Sequence, residues 1–150
     1  MFICSVGGHL TQMLQLKELY KEYDYCLVTE KTKTTLDLKN RYPTSFLLHC
    51  SRKYPVDFFF KFIYNCIKSL VLFVKFRPEV IVSTGTHTAV PMCYYAWLTR
   101  KKVIFIESFA KRTTPTMAGR LVHPIASTFV VQWEGMLKHY KKAQLWGWIY

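Results

Sequence analysis

His9 follows two glycines at the point where a short apolar run, Phe2-Ile3-Cys4-Ser5-Val6, gives way to a helical pattern. An imidazole placed there could take a proton from a hydroxyl near neutral pH, ligand a phosphate, or simply open a helix. Gly7 and Gly8 let the chain turn tightly and present the N–H groups of a helix start to an anion. A second set, Thr84-Gly85-Thr86-His87-Thr88, follows the apolar run Val80–Ser83. Its hydroxyls and N–H groups also suit an anion, and Thr86 serves equally well as a plain helix cap. A third set, Glu107-Ser108, closes the run Val103–Ile106. A carboxylate there is costly to bury unpartnered, so Glu107 orients a loop, bonds a ligand hydroxyl or, as the bland alternative, stands idle. His9 and Glu107 are therefore the catalytic candidates. Gly7, Gly8, His9, Thr84, Gly85, Thr86 and Ser108 are the candidates for holding a phosphate.

All three sets directly follow a strand. Strands are expected at Phe2–Val6, Tyr25–Thr29, Ser45–His49, Val80–Ser83, Val103–Ile106 and Thr128–Val131. Helices are expected at Leu10–Glu22, Thr34–Lys39, Val56–Phe76, His87–Thr99, Thr116–His123 and Glu134–Tyr140. Several strands are apolar throughout, as parallel strands covered on both faces are. The alternation of strand and helix predicts one Rossmann-like α/β domain over residues 1–150. Its sheet would be parallel and doubly wound, with ligands beyond the carboxyl ends of the strands. Because the first strand opens at residue 2, no leader is expected ahead of it. Val6-Gly7-Gly8-His9-Leu10-Thr11 lacks the third glycine of a dinucleotide fingerprint, although Glu30 follows the second strand, and there is no Walker loop. Cys4, Cys26, Cys50, Cys66 and Cys93 stand apart with no C-x-x-C, which argues for buried thiols and against a metal site.

The formal net charge is +12, and aromatic residues make up 17% of the chain. Such basicity points to an anionic surface or a phosphorylated substrate, and no nucleic-acid recognition motif supports that third class of partner. The helix Val56–Phe76 concentrates both properties. Lys61, Asn65, Lys68 and Lys75 share one narrow polar stripe, and the rest of its circumference is apolar. Spanning a bilayer would put Lys68 near the centre at a cost of about 2.5–3.5 kcal/mol, so the helix is expected to lie in the interface. Phe59, Phe62 and Phe73 would then enter the acyl boundary, with Lys61, Lys68 and Lys75 toward anionic headgroups. A protein interface or a crowded core are the alternatives. The tail Leu145-Trp146-Gly147-Trp148-Ile149-Tyr150, apolar to its end, calls for a partner or a membrane as cover.

Four ordered segments carry a resemblance. They are Ser5-Val6-Gly7-Gly8-His9-Leu10-Thr11-Gln12-Met13-Leu14, Ser83-Thr84-Gly85-Thr86, Phe105-Ile106-Glu107-Ser108-Phe109-Ala110 and His123-Pro124-Ile125-Ala126-Ser127-Thr128-Phe129-Val130-Val131-Gln132-Trp133. In order and spacing the chain resembles the accessory subunit of split bacterial capsule and exopolysaccharide glycosyltransferases. It is similar to the membrane-anchoring subunit of the eukaryotic dolichol-linked N-acetylglucosamine transferase. The resemblance implies the amino-terminal, acceptor-side half of a GT-B enzyme at the cytoplasmic face of the plasma membrane. A separate catalytic subunit would bind the UDP-sugar, so no cofactor is expected on this chain. Gly7, Gly8 and His9 would face the diphosphate of a polyprenyl-linked acceptor, with Glu107 and Ser108 on the same rim. Galactosyl, glucuronosyl or N-acetylglucosaminyl transfer would fit. The eukaryotic relatives carry a separate membrane anchor, so here anchoring would fall to Val56–Phe76. A self-associating enzyme active alone, or a scaffold with no residue in the chemistry, stays open beside this reading.

Overall fold

Val103, Phe105, Phe129, Val130 and Val131 lose almost all contact with water. Strands with so little polar surface need layers packed on them. Over residues 1–149, which the computed structural model describes, the chain runs β1 (Phe2–Ile3), α1 (Gly8–Gln15), α2 (Leu19–Glu22), β2 (Leu27–Lys31), β3 (Thr44–Leu48), α3 (Pro55–Phe76), β4 (Val80–Ser83), α4 (Val90–Leu98), β5 (Lys102–Ile106), α5 (Met117–Val122), β6 (Thr128–Val131) and β7 (Gln144–Leu145). All neighbouring strands pair in parallel, in the order β3-β2-β1-β4-β5-β6-β7. The chain winds outward from β1 to β3, crosses back through α3 to β4, and then winds the other way. This is the doubly wound Rossmann-like arrangement that the alternation implied. The loops after β1 and β4 therefore diverge and open a crevice between them.

One layer of the core joins Ile3, Val28, Ile81 and Phe105 to Leu72 and Phe73 of α3, Met92 and Ala96 of α4, and Val122 of α5. The opposite layer is smaller and joins Phe2, Cys4 and Leu27 to Met13, Tyr20 and Leu38. Val80, Val82 and Ile104 remain half-buried, so the expectation that these strands are covered on both faces fails on the second face of β4 and β5. Burying a Phe or Ile side chain contributes about 1.5–3 kcal/mol, which places most of the stabilisation in the larger layer.

Element boundaries depart from expectation where local chemistry intervenes. The ladder of β1 stops at Ile3, because Cys4 to Val6 already lead into the glycine turn. The first helix starts at Gly8 and breaks into a 3-10 turn at Leu16–Glu18. The segments expected at Thr34–Lys39 and Glu134–Tyr140 form 3-10 turns, Leu36–Asn40 and Glu134–His139. The two-residue strand β7 lies in a tail with no alternation to announce it. Tyr150 lies outside the described residues.

The long helix forms where it was expected. Pro55 presets the first helical position, Asp57 and Lys75 complement the two ends of the dipole, and Arg77 closes it in the left-handed region at φ 44°. Its phase differs from expectation. The side that meets the sheet carries Asn65, Ser69, Leu72 and Phe73, all buried. Asn65 accepts from the Leu48 N–H (2.8 Å) and donates to the Leu48 carbonyl (2.9 Å), so it belongs to the interior and not to a solvated stripe. Phe73 is likewise a core residue, against Tyr95, and not a membrane contact. A polar residue that bonds the sheet backbone satisfies its groups as fully as water would, and this leaves the apolar side facing out.

Candidate functional site

Gly7 caps α1 at φ 70°, a conformation that strains any side-chain-bearing residue, and neither Gly7 nor Gly8 has a neighbour where a Cβ would stand. The first turn of α1 is thus bare, with its N–H groups open to an approaching anion. Across the crevice, the β4 loop holds the next residue in place. His9 Nδ1 donates to the Thr84 carbonyl at 2.5 Å, and the Thr84 hydroxyl donates back to the His9 carbonyl at 2.9 Å. Since a carbonyl only accepts, the proton of a neutral His9 sits on Nδ1 and its lone pair on Nε2. This is the tautomer a general base needs.

Gly85, at φ 81°, brings the β4 loop against the β5 loop, and a Cβ there would stand 2.7 Å from the Ser108 nitrogen. His9, Gly85 and Thr86 line a cleft of about 300 Å³ together with Ser5, Arg52, His87, Lys111 and Thr116. Among the described residues no carboxylate lines it, so Arg52 and Lys111 give it a positive field suited to phosphate oxygens. Gly7 and Gly8 stand exposed at the start of α1. Thr84 is fully buried; its hydroxyl bonds the His9 carbonyl, and its own carbonyl positions the imidazole. Ser108 is buried, with its N–H bonded to Glu107.

Glu107 does not reach the cleft. Only 1% exposed, its carboxylate accepts from the Ser108 N–H (2.8 Å), the Thr116 hydroxyl (2.9 Å) and the Tyr140 hydroxyl (2.5 Å). Burial first, and the Glu107 hydrogen bond next, push the Tyr140 phenol far above its ordinary range, so it stays a donor. Gly119 has no Cβ because one would collide with the Glu107 carboxylate and the Tyr140 hydroxyl. The catalytic reading of Glu107 is therefore replaced by the orienting one: it ties the β5 loop to the start of α5. A second buried carboxylate plays a matching part behind the cleft. Glu30 accepts from Thr88 Oγ1 (2.5 Å) and pairs with His49 Nδ1 (2.6 Å), and His87 Nε2 lies 3.9 Å away. Burial lowers the pKa of His87, with Glu30 opposing, so His87 is neutral at pH 7.

The outer side of α3 borders none of these groups. Val56, Phe59, Phe60, Ile63, Ile67, Leu70, Val71 and Val74 are exposed there, Phe60 at 66%. Phe62 is half-buried and stacks on Phe58, which in turn touches His87. Lys61 pairs with Asp57, whereas Lys68 and Lys75 flank the helix on the β3 side. Among the described residues no helix is long and apolar enough to cross a membrane. In the tail, Trp148 packs on Phe109 and Trp133, while Trp146 is half out in solvent.

Arg52, Lys111, Thr116 and Glu30 were not among the candidates. The one signal for Lys111 and Thr116 was their place in the loop after a strand, at the carboxyl edge of the sheet.

The same architecture occurs in the crystal structure of MurG from Acinetobacter baumannii, with a TM-score of 0.70 over 89% of this chain and 42% of that one, at 13% identity. A UDP-N-acetylglucosamine transferase subunit ALG14 from Candida albicans is 34% identical over 91 residues, 57% of this chain. The match spans 42% of that relative, less than half its length. A UDP-N-acetylglucosamine–N-acetylmuramyl-(pentapeptide) pyrophosphoryl-undecaprenol N-acetylglucosamine transferase from Legionella pneumophila is 32% identical over 83 residues, 55% of this chain and 22% of that protein. The profile of the "Oligosaccharide biosynthesis protein Alg14 like" family matches residues 51–149, from the start of α3 through α4, α5 and the β5 and β6 loops to the tail. With two-thirds of its length matched, the chain belongs to the Alg14-like family.

Proposed function

We propose that this chain is the acceptor-side subunit of an inverting, nucleotide-sugar-dependent glycosyltransferase. It binds a polyprenyl-diphosphate-linked acceptor and brings a separate catalytic subunit to the membrane. The observation that carries the reading is the cleft at the β1 and β4 loops, where His9 offers Nε2 beside Arg52, Lys111 and the bare start of α1. The N–H groups of that first turn and the two cations hold the acceptor diphosphate. His9 Nε2 takes the proton of the acceptor hydroxyl as its oxygen attacks the anomeric carbon, and the UDP leaving group stays with the partner.

The names of the relatives support the substrates. The Candida protein is a UDP-N-acetylglucosamine transferase subunit, and the Legionella one acts on a pyrophosphoryl-undecaprenol-linked sugar. UDP-N-acetylglucosamine is thus the first donor to try, followed by the galactosyl and glucuronosyl donors. The setting is capsule or exopolysaccharide assembly at the cytoplasmic face of the bacterial plasma membrane. The chain lies peripherally on that anionic surface through the outer side of α3, where the apolar side chains stand exposed.

The test is a transfer assay with membranes bearing lipid-linked acceptor, using this chain alone, a candidate donor-binding subunit alone, and both. Transfer is expected only from the pair. Full transfer by this chain alone would overturn the division of labour.

A further inference from the structure

Beside β3, at the edge of the sheet, a groove of about 470 Å³ lies between that strand and the flank of α3. Four lysines line it: Lys31 from the end of β2, Lys39 from the following 3-10 turn, and Lys68 and Lys75 from α3. No carboxylate lines the groove, and none of the four makes an ion pair among the described residues. Three lysines elsewhere do form ion pairs, Lys21 with Glu18, Lys61 with Asp57 and Lys101 with Glu79, so what sets the groove apart is that four cations line one concavity. Between the lysines the lining is mixed: Leu36, Phe46 and Tyr64 stand beside Thr44 and Ser45, and Lys39 Nζ lies 5.2 Å from the centre of the Phe46 ring. A groove that sets four cations beside apolar side chains fits an amphiphile whose head is anionic. Its place selects the amphiphile, because Lys68 and Lys75 stand on the flank that separates the sheet-facing side of α3 from its exposed apolar side. When that outer side enters the acyl boundary, the groove comes to the level of the headgroups, within reach of lysine side chains that extend along apolar surface.

We propose that the groove between β3 and α3 is a binding site for the phosphate headgroup of an anionic phospholipid. The site is distinct from the acceptor cleft, and it rests on the reading that α3 lies on the membrane. Lys31 and Lys39 are its diagnostic members, since they do not belong to α3. In the site they clamp one phosphate from the β3 side while Lys68 and Lys75 close from the helix.

The experiment measures flotation of the full chain with phosphatidylcholine vesicles, with and without phosphatidylglycerol. Alongside it, NMR of the chain follows its titration with dihexanoyl phosphatidylglycerol below its micellar concentration and, separately, with inorganic phosphate. Three variants are compared: Lys31→Gln with Lys39→Gln, Lys141→Gln with Lys142→Gln near the opposite sheet edge, and Phe59→Ser with Ile67→Ser on the outer side. The first pair is expected to weaken binding to phosphatidylglycerol vesicles about thirtyfold, about fivefold per lysine, and the distant pair far less. The short-chain lipid is expected to shift Lys39, Phe46 and Lys68 signals saturably, with inorganic phosphate much weaker. Equal losses from both lysine pairs would overturn the site, because diffuse charge would then explain the binding. So would phosphate matching the short-chain lipid. If the Phe59 and Ile67 variant still floats as wild type does, the membrane reading of α3 falls. Saturable short-chain lipid binding would in that case still uphold the groove.

Discussion

Around the cleft at the β1 and β4 loops several buried polar side chains are tied down, whereas along the outer side of α3 a row of large apolar side chains stands exposed. Thr84, Glu30 and Glu107 each lie within hydrogen-bond distance of named partners. Phe59, Phe60, Ile67 and Val74 are each more than half exposed. The first region is built to hold one imidazole still while an anion arrives, and such preorganisation is what a reacting group needs. The second is unfinished as a surface, and contact with another phase would complete it. The difference shows which residues are in use within the fold and which await a partner.

The largest expected effect falls on the first region. His9→Asn keeps an N–H to donate to the Thr84 carbonyl but has no counterpart to the Nε2 lone pair. In the reconstituted pair it should lose about 10²–10⁴-fold in transfer rate with complex formation and vesicle binding unchanged. A rate within a few-fold of wild type would leave His9 as a phosphate ligand or a mere helix opener.

Next comes a comparison of one residue type within one helix. Phe73→Ala empties a core position and should cost about 3–5 kcal/mol in urea unfolding. Phe59→Ala, on the outer side, should stay within about 0.5 kcal/mol. Similar costs at both positions would mean that the outer side is packed in solution, as in a self-associated form. Asn65→Leu should fall between them, at about 1–3 kcal/mol, because the Leu48 N–H and carbonyl lose their partner while the volume is kept. A neutral result there would restore Asn65 to a solvated stripe.

The legibility of the two regions differed for a physical reason. Loops after parallel strands converge at a place fixed by topology, so Gly7, His9, Gly85 and Thr86 could be gathered from their order alone. Glu107 was recognised as costly to bury, but its partners Thr116 and Tyr140 come from distant segments, and only the folded chain shows them closing around it. Lys111 and Arg52 lie in loops with no spacing rule. The fold class and most strands could be read because alternating runs have a period. The phase of α3 could not, because apolar residues almost all round leave the few polar ones to set it, and polar was equated with solvent. Asn65 reverses that equation by bonding the sheet backbone, so Asn65 and Phe73 face the core while Lys68 and Lys75 stay on the flank. The strand β7 was missed because two residues carry no period.

The smallest expected effect concerns the wall between the two regions, where Phe58 of α3 lies on the His87 ring. Burial holds the His87 pKa below its ordinary value of 6.5 against the opposing pull of Glu30, with Arg52, His9 and His49 adding in the same sense as burial. Burial lowers His123 in the same direction. A histidine with a depressed folded pKa binds its proton better in the unfolded chain. Stability from these two groups is therefore whole above about pH 7 and is lost as the pH falls through 6.5 toward their folded values. The urea midpoint should accordingly drop between about pH 7.5 and pH 5.5. In His87→Gln, which takes up no proton, the drop should be shallower, and a parallel shift in both proteins would place the pH sensitivity elsewhere. A shallower slope joined to unchanged vesicle binding would show that the cleft wall titrates independently of the outer side of α3. If the same variant also altered vesicle binding, Phe58 would couple the two regions.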